Sequence, residues 1–324
     1  MRKKIAMNEI TIQLNKQDFT GGETVLGEVV VQLDQDTPVR GIRLMLEGYE
    51  ESCWTTGAGK YRCTHSEKRD LFDEEITLHG RPRLGLGALV ADSFRGVFSK
   101  ENYEILPAGA YRYPFTYVLP PDLPGDFQSH MTDSKIDYAV RAVVDLPLKF
   151  DLKAERPLTV YEPGNPAAMQ PVTAQQTKKF KFDSDASLEA AVHLDKDKFY
   201  LGEVLQCHLK VVNRAPKKDI HVVTVALLQR ETVRAGRQAN EEEDEINPIK
   251  FKECRFPLKQ PTSLDLQYEI PKDLYPTIAR GRLVKVDYQL VVTLDIPWAA
   301  DAKLHLPITL LERAGCPAKA AEEN

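Results

Sequence analysis

The sequence predicts an all-β fold: two immunoglobulin-like antiparallel β-sandwich domains in tandem. Three observations carry that prediction. The chain repeats itself, each copy alternates apolar and polar residues with a period of two, and glycine and proline punctuate the alternating runs. At about 150 residues per domain, the 324 residues suit two domains.

The repeat is visible in four ordered blocks. Ile12–Phe19, followed by Gly22-Glu23, returns as Val192–Phe199, followed by Gly202-Glu203, at an offset of 180 residues. Ile136–Val140, continuing to Asp145-Leu146-Pro147, returns as Val286–Leu290 and Asp295-Ile296-Pro297 at an offset of 150. The same offset pairs Pro157–Val160 and Glu162 with Pro307–Leu310 and Glu312, and Leu119–Leu123 matches Ile270–Leu274 at 151. The difference between 180 and 150 gives the first copy 30 extra residues in its middle, around 53–105.

Each copy reads as short antiparallel strands. Ile10, Ile12 and Leu14 alternate with Thr11 and Gln13, and Val29, Val31 and Leu33 fall on one face of the next run. Tyr138, Val140, Ala142 and Val144 alternate late in the first copy, as Tyr288, Leu290, Val292 and Leu294 do in the second. Both tyrosines read as core rings with the hydroxyl at the rim. The segments Thr20–Gly22, Asp34–Pro38 and Pro120–Gly125 read as turns. Asp92–Glu101 is the best helical candidate. Trp54–Lys60, polar and glycine-rich, predicts a mobile tip, and the acidic run Glu241–Glu245 predicts a solvated hairpin tip. Pro163, Gly164, Pro166 and Pro171 interrupt ladder bonding and mark a linker. The expected domains are 1–163 and 187–313, with a linker at 164–186 and a short tail at 314–324.

Composition narrows the function. The 43 basic and 48 acidic residues leave a net charge of -5, which disfavours nucleic acid as a partner. Five widely spaced cysteines suit a reducing compartment, and the polar residues after Met1–Lys4 do not make a signal peptide, so a cytoplasmic location is expected. Neither a Gly-x-Ser-x-Gly elbow nor a His-Glu-x-x-His pair nor a phosphate loop is present, and Gly85-x-Gly87 has no third glycine. Cys53 and Cys63, ten residues apart with His65 beside the second, lack the tight pairs of a zinc site. The expectation is a protein that is not an enzyme and needs neither cofactor nor metal. The competing catalytic reading rests on Cys63 and His65, since cations nearby lower a thiol pKa.

At the level of motifs the chain resembles the arrestin fold, and within it the α-arrestins (arrestin domain-containing proteins). The matching residues are Phe19-x-x-Gly22-Glu23, Val25-x-Gly27-x-Val29, Val39–Leu44, Gly48 leading to Trp54, and Leu106–Gly109. Phe115, the Leu119-Pro120 corner, the proline-rich linker, and Gly202-Glu203 with Asn213 complete the set. The resemblance implies an adaptor or scaffold that binds cytoplasmic tails of membrane proteins in endocytic or endosomal trafficking, peripheral to the plasma membrane or endosomes. The competing reading is a structural subunit of a retromer-like sorting complex. Partner-binding candidates are the clustered cations Lys3, Lys4, Arg40, Arg43, Lys178, Lys179, Lys217 and Lys218, suited to acidic or phosphorylated tails and to anionic lipid head groups. The Pro-Pro-x-Tyr motif by which α-arrestins recruit ubiquitin ligases is absent, so ligase recruitment is implied only if a further C-terminal tail exists.

Overall fold

The structure, a computed structural model, describes residues 8–80, 103–147, 149–164, 168–180, 183–215 and 220–312. These are strands and turns, apart from short 3-10 turns such as Gly59–Tyr61. The helical candidate Asp92–Glu101 and Gly85-x-Gly87 lie outside the described residues. The chain divides into two compact units. One holds residues up to Glu51, Lys68–Gln128 and Lys135–Tyr161; the other holds Ser52–Glu67, Ser129–Ser134 and the chain from Glu162 onward.

In the first unit β1 (Glu9–Leu14) pairs antiparallel with β3 (Thr24–Leu33), and β3 with β8 (Gly109–Val118). Two short pairs flank this sheet: β2 (Asp18–Thr20) runs parallel to β12 (Thr159–Tyr161), and β4 (Thr37–Val39) antiparallel to β7 (Glu104–Leu106). The other main sheet is ordered β11-β10-β5-β6, from β11 (Leu152–Pro157), β10 (Lys135–Asp145), β5 (Gly41–Thr56) and β6 (Cys63–Gly80), with β9 (Phe127–Gln128) against β10. The alternation read from the sequence is the burial pattern: Val29, Val31, Leu33, Tyr138, Val140, Ala142 and Val144 are all buried. Each valine or leucine so buried contributes roughly 1.5–3 kcal/mol.

The second unit has the sheet β13-β14-β16-β19, from β13 (Val172–Phe180), β14 (Asp183–Leu194), β16 (Val204–Asn213) and β19 (Pro261–Glu269). Its other sheet is β15-β21-β20-β17-β18, from β15 (Lys198–Tyr200), β21 (Ala302–Leu311), β20 (Val284–Leu294), β17 (Val223–Ala235) and β18 (Gln238–Phe251). Within this unit Glu231 is fully buried, and its carboxylate accepts hydrogen bonds from Ser129 Oγ and Thr132 Oγ1 (2.6 Å). Those bonds offset part of its desolvation cost.

Two segments differ from the sequence reading. Residues 172–180, inside the expected linker 164–186, form β13, paired residue by residue with β14. As the edge strand of its sheet, β13 keeps most of its side chains exposed or half-exposed, so its apolar signal is weak. The acidic run Glu241–Glu245 is strand rather than tip: it pairs with Leu228–Thr232 on the sheet edge, and the turn falls at Gly236 (φ 59°). Successive side chains of a strand alternate faces, which separates like charges that would crowd a packed surface. The tip predicted around Trp54–Lys60 ends the long β5–β6 hairpin. Its Trp54 is buried and stacks on His65 with ring centroids 5.1 Å apart, and Tyr61 N and Arg62 N donate to Ala58 O and Gly59 O.

The duplication is repeated bond for bond. Gly22 (φ 85°) and Gly202 (φ 76°) take the left-handed turn position that favours glycine. In the first copy Thr20 N donates to Glu23 Oε2 (2.7 Å), and Lys16 Nζ bonds that carboxylate while lying 4.8 Å over the Phe19 ring. In the second, Tyr200 N donates to Glu203 Oε2 (2.9 Å), and Lys196 bonds Glu203 while lying 4.9 Å over Phe199. The hydrogen bond from Lys16 holds the Glu23 carboxyl below its ordinary pKa. Asp126 N donates to Val160 O while Asp126 Oδ1 accepts from Val160 N; Thr277 makes the same pair with Leu310 through its hydroxyl. Tyr138 Oη donates to Pro124 O and Tyr288 Oη to Tyr275 O, each at 2.8 Å. Burial pushes the Tyr288 phenol well above its usual pKa.

Tyr288→Phe leaves the Tyr275 carbonyl without this donor, with an expected loss of ~1–3 kcal/mol of unfolding free energy. Gly48→Ala places a Cβ 2.6 Å from ring carbons of both Tyr138 and Phe72, with an expected loss of about 1–3 kcal/mol. Denaturant titration checks both; an unchanged midpoint contradicts the packing described.

Candidate functional site

Two of the predicted cations meet in the first unit. Arg40 joins β4 to β5 and Arg43 stands near the start of β5; Arg40 N donates to Asp145 O (2.9 Å) at the end of β10. Both guanidinium groups reach the Asp145 carboxylate: Arg43 Nη2 at 2.6 Å and Arg40 Nη1 at 3.4 Å. They differ in what remains free. Arg43 is 11% exposed and has Glu75 at 3.9 Å on its other side, whereas Arg40 is 36% exposed. Arg43 therefore neutralises Asp145, and Arg40 faces outward.

Outward of Arg40 lies an open depression of about 800 Å³ lined by Arg40, Asp145, Leu146, Lys149, Phe150 and Asp151. Its far wall is the β10–β11 turn, closed by Leu146 N donating to Asp151 Oδ1 (3.1 Å). Buried Leu146 roots that turn, while Phe150 is 98% exposed. Two cations of different reach thus stand beside a bare aromatic ring. Such a site suits an extended segment that carries an acidic or phosphorylated group next to an apolar one.

The other predicted cations do not join this site. Lys178 Nζ donates to Ala300 O and Asp301 O, which commits it to the β20–β21 turn, and Lys179 is exposed on β13. Lys3, Lys4, Lys217 and Lys218 lie outside the described residues. Lys149 and Phe150 were missed by sequence reasoning. The available signal was the aspartate pair Asp145/Asp151, repeated as Asp295/Asp301, which frames a turn in both copies.

The catalytic reading of Cys63 gains nothing from geometry. The His65 ring is stacked on Trp54 and its Nε2 lies 2.9 Å from Thr56 Oγ1. Cys207 is buried, and desolvation pushes its thiol up to about 12, where the nucleophilic thiolate is scarce at neutral pH. Among the described residues no cluster of three or more His, Cys, Asp or Glu suits a metal ion.

Comparison with known proteins bears on what this fold is for. Residues 9–165 match the family model "Arrestin (or S-antigen), N-terminal domain", and residues 184–314 match "Arrestin (or S-antigen), C-terminal domain". The chain belongs to the arrestin family. Arrestin domain-containing protein A of Dictyostelium discoideum is 27% identical over 94% of this chain and 51% of its own length. Arrestin domain-containing protein 17 of Caenorhabditis elegans is 27% identical over 72% of this chain and 54% of its own. Mouse thioredoxin-interacting protein is 23% identical over 97% of this chain and 76% of its own. The chain thus spans about half the length of the first two relatives.

The two arginines of this arrestin-family chain separate by mutation. Arg43→Ala leaves Asp145 and Glu75 short of a buried cation and is expected to cost about 1–3 kcal/mol of stability. Arg40→Ala, at a half-exposed site, is expected to stay within about 0.5 kcal/mol. Thermal melts of both variants check the ranking; equal losses contradict the assignment of Arg43 as the neutralising partner.

Proposed function

We propose that this arrestin-family chain is a non-enzymatic adaptor that binds cytoplasmic tails of membrane proteins and works at the cytoplasmic side of the plasma membrane or endosomes. The observation that carries the reading is the Arg40–Lys149–Phe150 depression. Its cations favour an acidic or phosphorylated tail, and the bare Phe150 ring gives an apolar neighbour to that charge a place to pack. Family membership supports it at the level of the fold, since the closing turns of both copies sit on rigid sandwiches that offer side chains for contact rather than for chemistry. Attraction of this kind is screened by salt, so tail binding weakens as ionic strength rises.

Titration of the whole chain with a panel of cytoplasmic-tail peptides, each with and without phosphate, tests the proposal. Micromolar, salt-sensitive binding is expected for a subset of the panel, weakened about tenfold or more by Arg40→Glu with Lys149→Glu, on the basis that such a factor corresponds to about 1.4 kcal/mol. Absence of binding across the panel at low salt overturns the reading. Native mass measurement of the chain recovered from cells separates the alternatives: a stoichiometric partner retained at high salt replaces the adaptor with a subunit of a sorting coat.

A further inference from the structure

Two histidines stand side by side on the outer face of the second unit, in a row that crosses a whole sheet. Register defines the row: Thr173 on β13 faces His193 on β14, His193 faces His208 on β16, and His208 faces Asp265 on β19. Directly paired residues point to the same face of a sheet, so the four side chains lie in one line across its four strands. The face beneath is packed: Val192 and Leu194 flank His193, Cys207 and Leu209 flank His208, and all four are buried. Both backbones are therefore held, while the imidazoles above them are 44% and 43% exposed. Their ring centroids are 6.4 Å apart, with the planes inclined by 26°.

The outer members of the row orient the inner pair. An ionised carboxylate only accepts hydrogen bonds. His208 Nδ1 therefore donates to Asp265 Oδ1 at 2.7 Å, and the lone pair of this ring sits on Nε2. In His193 the same ring position is matched by Thr173, whose Oγ1 lies 2.9 Å from Nδ1. Asp195, just past the end of β14, places Oδ1 3.2 Å from His193 Nε2. A hydroxyl both donates and accepts, so when a cation takes His193 Nε2 the ring proton moves to Nδ1 and Thr173 accepts it. Each imidazole then has Nδ1 held by a flanking strand and Nε2 as the ligand, as outer partners hold a metal-bound histidine.

Neutral imidazoles suit zinc, copper or nickel, whereas calcium and magnesium take oxygen ligands. Of the three, zinc imposes no d-electron geometry, which suits two ligands fixed by a sheet face. At a Zn–N length of about 2 Å, two imidazoles on one tetrahedral ion have centroids roughly 5 Å apart. The observed 6.4 Å closes to that by rotation of two half-exposed side chains, without movement of a strand. Asp195 and Asp265 offset the charge of the ion, against Lys210, two residues from His208 on the same face. Two side-chain donors are fewer than a closed structural centre needs, so the ion keeps water in its other positions and stays exchangeable.

We propose that His193 and His208 form an open, exchangeable zinc site that clips β14 to β16 on the outer face of this sheet. The site owes nothing to the Arg40–Lys149–Phe150 depression or to the adaptor reading.

Calorimetric titration of the whole chain with zinc chloride, in a buffer that does not chelate metal, tests it. One ion per chain is expected to bind at micromolar concentration, without competition from magnesium. H193Q and H208Q, which keep a polar side chain, are each expected to weaken binding about tenfold or more, and D265A about tenfold through loss of the outer partner. Because the ion binds the folded sheet, zinc is expected to raise the melting temperature of the parent chain and not that of H208Q. The melting temperatures of the metal-free variants are expected to match the parent. Unchanged affinity in both histidine variants overturns the proposal, as does absence of zinc binding up to millimolar concentration. So does binding that C63S abolishes, which places the ion on the exposed thiol of Cys63 instead.

Discussion

Each unit depends on the register of one central strand pair. In the first, Tyr138 on β10 lies opposite Gly48 on β5; in the second, Tyr288 on β20 lies opposite Gln229 on β17. A slip by one residue would turn Val140, Ala142 and Val144 to the solvent face. The tyrosine prevents the slip from both ends of its side chain. Its ring occupies space that the opposing position must leave free, which is why a Cβ at Gly48 has no room. Its hydroxyl also donates to a fixed carbonyl, Pro124 O in one copy and Tyr275 O in the other. Where the second copy has Gln229 instead of glycine, the side-chain amide oxygen lies 3.4 Å from the hydroxyl, so a polar neighbour replaces a packed ring. Burial of a phenol is tolerable only when its proton is given away, and both copies meet that condition in the same place.

With register fixed, charge is handled at the edges and turns. The paired corners Lys16–Phe19–Glu23 and Lys196–Phe199–Glu203 use one carboxylate three times: it accepts from a backbone amide, pairs with an ammonium group, and holds that ammonium over a ring. Parallel pairing of β2 with β12 and of β15 with β21 then ties the corner to a strand from the far end of its own copy. Glu50 shows the same economy on β5 of the first unit. Its carboxylate is fully buried, and Arg69 Nη1 approaches to 3.2 Å from β6. Removing one member of such a pair leaves the other uncompensated in a poorly solvated place.

Much of this was legible in the sequence because its signals are local or repeated. Period-two alternation marks the face of a strand without knowledge of its neighbours, and the offsets of 180 and 150 align equivalent residues. The segments that differed are edge strands. β13 and β18 draw their order from pairing with β14 and β17, and an edge strand needs little apolar surface of its own. A proline-rich approach followed by Thr-Ala-Gln-Gln-Thr reads as linker, and five consecutive acids read as tip, until the partner strand is known. The site was half legible for a related reason. Arg40 and Arg43 are three residues apart in sequence, but Lys149 and Phe150 reach Arg40 only because β10 and β5 pair from Asp145 opposite Gly41 back to Lys135 opposite Glu51. Contact across that sequence distance carries no local signature.

The duplicated turns show where the two copies were free to diverge. Asp145–Asp151 and Asp295–Asp301 share one frame, in which the last aspartate accepts from the amide one residue past the first, over a buried Leu146 or Ile296. A frame closed by its own backbone does not depend on what stands at its crest. The crest therefore carries Lys149 and Phe150 in one copy and Trp298 in the other, each aromatic ring almost wholly in water. Exposure of that much apolar surface is unfavourable in isolation, and a sandwich with a filled core gains nothing from it. The same turn frame thus carries two unlike crests, one over Leu146 and the other over Ile296. Selection on partners can act on the crests while selection on stability acts on the register beneath them.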